Sequence, residues 1–252
     1  SGATESNNAV IRYWARSLSS DTCVGINPTE HPSVIEAVKA LLDSRVVWLP
    51  LSKGGVVDMD ALRHRIDSGT LAAVSVMAAN NETGVIQPWQ NIADLCAKAQ
   101  IPYHCDAAQW VGKLSVEGLS ACTYVTACAH KFGGPKGVGF MLLPEGAADF
   151  RLLDGGEQEA AHRAGTEDVA GVLAMSAALE HSKLGKAEAR DVFIEQILQA
   201  IPGVELIGAG TDRLWNTVSM SMPRHQSVRW IRALEKAGFL LSAGSACSTG
   251  KT

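Results

Sequence analysis

The chain has 252 residues, 46% of them hydrophobic, enough to bury one large core or one large and one small core. Its formal net charge of -4 comes from interspersed charges with no basic stripe, so nucleic acid is not an expected partner. No apolar run approaches the roughly 18 uncharged residues of a spanning helix, and no membrane association is expected.

In chain order, helical patterns are predicted over Glu5 to Ser17, Pro32 to Asp43, Asp58 to Ile66 and Pro88 to Ala99. Strand-length apolar runs fall between and after them: Thr22 to Ile26, Arg45 to Leu49, Ala72 to Met77, Pro102 to Asp106, Cys122 to Ala129 and Gly137 to Leu143. Continuous rather than alternating apolar strands, separated by helices, predict an α/β fold with a mainly parallel sheet covered on both faces. Ligands of such layers sit at the carboxyl ends of the strands. After Leu143 the texture changes to a loop rich in Gly, Glu and Ala, then a long helix from about Glu167 to His181. Another helix begins in the charged segment Ser182 to Arg190. Strands at Val204 to Ile207 and Thr217 to Met222, a helix over Ser227 to Ala237 and a short strand, Phe239 to Ser242, follow. This predicts a large domain over 1–181 and part of a smaller α+β domain over 182–252. Six cysteines (Cys23, Cys96, Cys105, Cys122, Cys128, Cys247) form no CxxC pair. They read as reduced thiols of a cytoplasmic protein, with no metal site. Both ends, SGATESN and SACSTGKT, read as cut.

The chemistry concentrates in TACAHKFGGPKG, Thr126 to Gly137. Lys131 ends an apolar strand and precedes a glycine-proline loop with few side chains to block access. A lysine desolvated at a strand end can lose its charge and condense with a carbonyl as a Schiff base, which suggests a pyridoxal phosphate (PLP) site. Ser1 to Ser6 precede a helix, forming either an ordinary N-cap or an anion-binding turn. Asp106 ends a strand, as a helix cap or as the partner of a pyridine nitrogen. Within Asn80 to Gly84, an asparagine either makes a turn or orients a phenolic oxygen. His31 is either structural or a ring-stacking proton shuttle. Cys247, set among Gly, Ser and Ala, reads as an accessible nucleophilic thiol on a mobile loop.

The ordered series SGATESN, TEHPSV, NNETGVIQP, HCDAAQWVGK, AHKFGGPKG, RAGTEDVAG and SAGSACSTG resembles the cysteine desulfurases, fold-type I, class V aminotransferase-like PLP enzymes. The resemblance spans essentially the whole chain. It implies that Lys131 carries the cofactor and transfers protons, that Asp106 pairs with the pyridinium nitrogen, and that Gln109 and Asn81 lie near the phenolic oxygen. It implies further that His31 stacks on the ring, that Ala3, Thr4 and His130 cradle the phosphate, and that Thr166 reaches the phosphate site of a partner subunit in a homodimer. Cys247 would take sulfur from L-cysteine as a persulfide, leaving alanine, and pass it to an acceptor such as an iron–sulfur scaffold protein. Cys128 stands where the family usually has a phosphate-binding serine, and a thiol is the poorer donor. The glycine-rich segment, Gly155 to Thr166, lacks a glycine and positive charge of the usual pattern. The resemblance also implies a preceding segment and a C-terminal stretch with an arginine for the substrate carboxylate. Alternatives are a related PLP lyase or aminotransferase, such as a selenocysteine lyase, and an inactive dimeric scaffold.

Overall fold

The structure, a computed structural model, describes residues 1–244. Helix α1 (Ala3–Ser17) leads to β1 (Cys23–Ile26), α2 (Pro32–Leu41) and β2 (Val46–Trp48). Then come α3 (Met59–Asp67), β3 (Leu71–Ser75), α4 (Trp89–Lys98), β4 (Tyr103–Asp106), β5 (Tyr124–Cys128) and β6 (Gly139–Leu142). The six strands form one sheet in the order β2-β1-β3-β4-β5-β6, parallel except for the β5–β6 pair. The expected mainly parallel α/β layer is therefore present.

Alternation along the strands sends neighbours to opposite faces, so the sheet has a core on each side. Ala73 and Tyr124 pack with Val10, Ile11, Trp14 and Val34 of α1 and α2. Their neighbours Val74 and Val125 pack with Leu62, Trp89 and Ile92 of α3 and α4. The α2 start follows from sequence: Pro32 occupies the first turn, where its missing N–H costs nothing, and the His31 side chain accepts from Ser33 N.

Strand order reverses between β1 and β3, which opens a crevice at their carboxyl ends. The loops leaving β1 and β3 meet there, with Asn27 N donating to Ser75 O and Met77 N donating to the Glu30 carboxylate. On the far edge, the β5–β6 pair seats the start of α1. A Cβ at Gly139 would come within 2.7 Å of Gly2 Cα. Only a residue without a side chain allows that approach.

Beyond β6 lie α5 (Val169–Glu180), α6 (Glu188–Ala200), β7 (Glu205–Leu206), β8 (Met220–Ser221) and α7 (Ser227–Lys236). Strands β7 and β8 pair as a separate antiparallel ribbon. This part is tied to the large sheet's loops by Leu214 N donating to Gly84 O, Ile86 N to Asp212 O, and the Trp215 indole to Lys113 O. Two expectations need correction. The strand predicted over Phe239 to Ser242 is irregular, with Leu240 90% exposed: the run is apolar but pairs with no strand among the described residues. The strand predicted over Thr217 to Met222 shortens to Met220–Ser221, matching its two-residue partner. Helix α5 is apolar, yet none of its residues is fully buried.

Candidate functional site

Four expected residues come from the carboxyl ends of adjacent strands: His31 after β1, Asn81 after β3, Asp106 at the end of β4 and Lys131 after β5. Asp106 is the best defined. Its Oδ1 accepts from Ala108 N at 2.9 Å, and its Oδ2 accepts from the Asn7 amide at 2.7 Å. Burial pushes its carboxyl above the ordinary range. The Ala108 and Asn7 donors and the charges of His31 and Lys131 pull it back.

Asn7 is completely buried on α1 and organises the floor. Besides Asp106 it donates to Ser33 Oγ at 2.9 Å, and its carbonyl oxygen accepts from the Thr126 hydroxyl. Thr126 pairs in turn with His104 Nε2 at 3.2 Å, and His104 Nδ1 with Ser75 Oγ at 2.9 Å. One chain of hydrogen bonds thus runs from Asp106 across β5, β4 and β3. Full burial lowers the His104 pKa to about 3, so its ring is a neutral strut.

His31 is half-buried. Its Nδ1 pairs with Ser33 Oγ at 2.8 Å and accepts from Ser33 N at 3.1 Å, so in the neutral ring Nε2 holds the proton. Burial lowers its pKa. Asp106 and Glu82 oppose that shift, and Lys131 adds to it. Glu30, one residue earlier, is buried with its Oε2 unpartnered. Burial, and then the neighbouring Asp106, raise its carboxyl well above the ordinary range, which favours the protonated acid. Asn80 makes the turn that had been left open between two readings. Its Oδ1 accepts from Glu82 N and Thr83 N at 2.9 and 2.8 Å, and its Nδ2 donates to Thr29 O. Asn81 is half-buried beside it, and Gln109 half-buried after Asp106.

Lys131 departs from expectation. It lies on a single 3₁₀ turn, Ala129–Lys131, that carries it past the end of β5, and it is exposed rather than removed from water. Its charge nonetheless acts on Asp106, His31, Cys128 and Lys113. The desolvated lysine is Lys113, 6% exposed, with no hydrogen-bond partner for Nζ. Burial lowers its pKa to about 8, and Lys131 adds to the effect.

The start of α1 has no side-chain cap at Gly2, and Ala3 N donates toward the Cys128 sulfur. Burial raises the Cys128 thiol, which keeps it neutral. His130, exposed, lies 3.8 Å from that sulfur through Nε2. Ala3 therefore faces Cys128, while Thr4 is exposed on the first turn of α1. Thr166 is exposed in the segment before α5. Cys247 and its loop lie outside the described residues.

These groups fit PLP. The uncapped helix start suits a phosphate. A carboxylate already held by two donors, yet raised by burial, suits a facing positive charge. Among the described residues no cluster of His, Cys, Asp or Glu could hold a metal ion, and no helix is long and apolar enough to cross a membrane. A cavity of about 820 Å³, lined by Trp89, Trp110, Arg190 and Arg213, shares no residue with the site.

The sequence reading does not single out Asn7, Glu30 or Lys113. Asn7 left a signal: it shares a helix face with Val10, Ile11 and Trp14, so it is a polar residue on the stripe that must face the core. Glu30 and Lys113 sit in loops, where no periodicity exposes burial.

A family model described as aminotransferase class-V matches residues 1–251. The chain is 36% identical to the cysteine desulfurase IscS of Dictyoglomus turgidum, over 99% of this chain and 66% of that protein. It is 32% identical to a cysteine desulfurase of Klebsiella pneumoniae, over 99% of this chain and 67% of that one. Among solved structures, a NifS-like protein superposes with a TM-score of 0.86 at 32% identity, covering 96% of this chain and 69% of its own. SspA in complex with cysteine does so with a TM-score of 0.82 at 26% identity, covering 99% and 72%. The chain thus spans about two thirds of the length of the curated relatives it matches.

Proposed function

The chain belongs to the class-V aminotransferase family and is cysteine desulfurase-like, and from that premise we propose that it takes sulfur from L-cysteine onto Cys247, using PLP held by the cluster above. The observation that carries this reading is the buried Asp106, fixed by Asn7 and Ala108 within electrostatic reach of both Lys131 and His31.

When bound, PLP supplies a ring that withdraws electrons from the α-carbon of an amino acid. Asp106 would hold the proton of the ring nitrogen, and Asn7 keeps that carboxylate aimed. Lys131, accessible on its 3₁₀ turn, would carry the cofactor and hold or release a proton at Nζ. His31 has Nδ1 committed to Ser33, so only Nε2 is left to exchange a proton. Asn81 and Gln109 would flank the phenolic oxygen. Ala3, Thr4, Cys128 and His130 would bound the phosphate, with Thr166 of a second copy completing it in a homodimer. The Cys247 thiolate would attack the substrate sulfur, forming the S–S bond of a persulfide as the Cβ–S bond breaks, the released electron pair taking up a proton at Cβ to leave L-alanine, before transfer of the outer sulfur to an acceptor protein. The free cysteines among the described residues, Cys23, Cys96, Cys105, Cys122 and Cys128, accord with a reducing, cytoplasmic setting.

The test is intact-protein mass after exposure to L-cysteine with PLP. The expected result is a sulfur-sized gain that Cys247→Ala abolishes, with a visible cofactor band that Lys131→Ala abolishes. Sulfide or alanine release undiminished by Cys247→Ala would replace this reading with a lyase or aminotransferase.

A further inference from the structure

Lys113 is outside every role assigned above, and its setting is unusual. It is buried, and an ammonium with three donors finds no acceptor. Unpaired buried ammonium groups are costly, so folds seldom retain one without a partner. Its backbone is pinned on both sides. Lys113 N donates to Trp110 O at 3.0 Å, and Lys113 O accepts from the Trp215 indole at 3.2 Å. Gly112, at φ +75, lies so close to Phe132 that a Cβ there would be 2.2 Å from the Phe132 Cβ. The residue before Lys113 therefore packs directly on the residue after Lys131.

The charge of Lys113 acts on Cys128 and His130, and the charge of Lys131 acts on Lys113, around the turn that faces the uncapped start of α1. Three positive features converge there: the Lys113 ammonium, the Lys131 ammonium and the N-terminal end of a 15-residue helix. The nearest candidate anion on the turn, Cys128, is held as a neutral thiol by burial. The result is an electropositive recess made by the protein's own groups.

We infer that Lys113 is a phosphate-binding residue of this site, its ammonium the buried cation that meets the dianion seated on the start of α1. This rests on the reading of that turn as a phosphate cradle. It gives the cradle a charge-assisted donor that compensates for the thiol at Cys128. A lysine with a pKa of about 8 is mostly charged at neutral pH and loses that charge just above it. The groups facing it are Lys131, Cys128 and His130, of which His130 is shifted down and titrates on the acid side.

The experiment uses inorganic phosphate and PLP as separate probes on the full chain, with binding followed by ³¹P NMR titration. Lys113→Met is expected to weaken inorganic phosphate about 10-fold or more, as loss of one charge-assisted contact requires, with Lys113→Arg close to wild type. Relative to Lys113→Arg, which shares the ionisation of the phosphate probe itself, wild-type affinity should fall between about pH 7 and 9. That pH comparison needs no methionine variant, so it survives if Lys113→Met fails to fold. Phosphate binding that is absent in wild type, or unchanged in Lys113→Met, or equally pH-dependent in Lys113→Arg, overturns the inference. A Lys113-dependent phosphate site without any Lys131-dependent PLP band would sink the proposed function and leave the Lys113 assignment standing.

Discussion

The His104 strut makes a quantitative prediction about acid stability. The ring is fully buried, pairs with Ser75 and Thr126, and meets the edge of Trp14 at 6.2 Å between centroids. Protonating it would put a charge in the sheet with no carboxylate among its hydrogen-bond partners. Its pKa falls from 6.5 to about 3 in the fold. The unfolded chain therefore takes up this proton first, and stability is complete above the unfolded value and lost as pH falls toward the folded one. At one pKa unit per 1.36 kcal/mol, the loss is about 2 to 3 kcal/mol by pH 4.5 and about 4 kcal/mol by pH 3. His104→Gln removes the titrating group while keeping a donor and an acceptor. Equilibrium urea unfolding of both proteins, followed by tryptophan fluorescence at pH 7 and 4.5, gives the two losses. Asp106 and Glu30 are shifted the other way, but they are common to both proteins and cancel in the difference. The expected difference in acid loss is about 2 to 3 kcal/mol, with the variant flatter. Equal losses in the two proteins would refute the argument that burial holds His104 neutral.

Two further predictions concern the floor and the lysine loop. Asn7→Leu keeps the volume but strips a donor from Asp106 and an acceptor from Thr126, costing about 2 to 4 kcal/mol. Its thermal melt should drop accordingly, the Asp106 carboxyl should rise further, and a melt indistinguishable from wild type would show that the network is incidental. Gly112→Ala places a methyl against Phe132 at a positive φ, costing about 2 to 5 kcal/mol. It should also weaken PLP binding through the displaced Lys131 turn, and unchanged melting and binding would contradict the contact.

The six strands of the main sheet were readable because each is a short apolar run between helical patterns, and Ala72 to Met77 and Pro102 to Asp106 land within a residue or two of β3 and β4. Strands beyond β6 were less so. Phe239 to Ser242 has strand composition, but composition does not supply a partner. Within the site, strand-end positions of His31, Asp106 and Lys131 followed from sequence, while their environments did not. Lys131 was expected to be dry because it follows a buried strand, yet a single turn of 3₁₀ helix lifts it out. The dry lysine is Lys113, whose backbone carbonyl is held by Trp215, 102 residues further along, and whose neighbour Gly112 packs on Phe132. Such contacts are set by tertiary packing, and no local pattern reports them.

The tether from Asn7 to Asp106 spans 99 positions, and its link to Thr126 spans 119. During synthesis α1 leaves the ribosome before the strands it must grip have been made. Until β5 emerges, the apolar stripe of α1 has no finished sheet to cover, and the Asn7 carbonyl lacks its Thr126 donor. Closing so long a loop is entropically slow. The Asn7–Asp106–Thr126 network is therefore among the last parts of this layer to close, and a nascent chain halted before residue 126 would leave the β5 side of α1 uncovered.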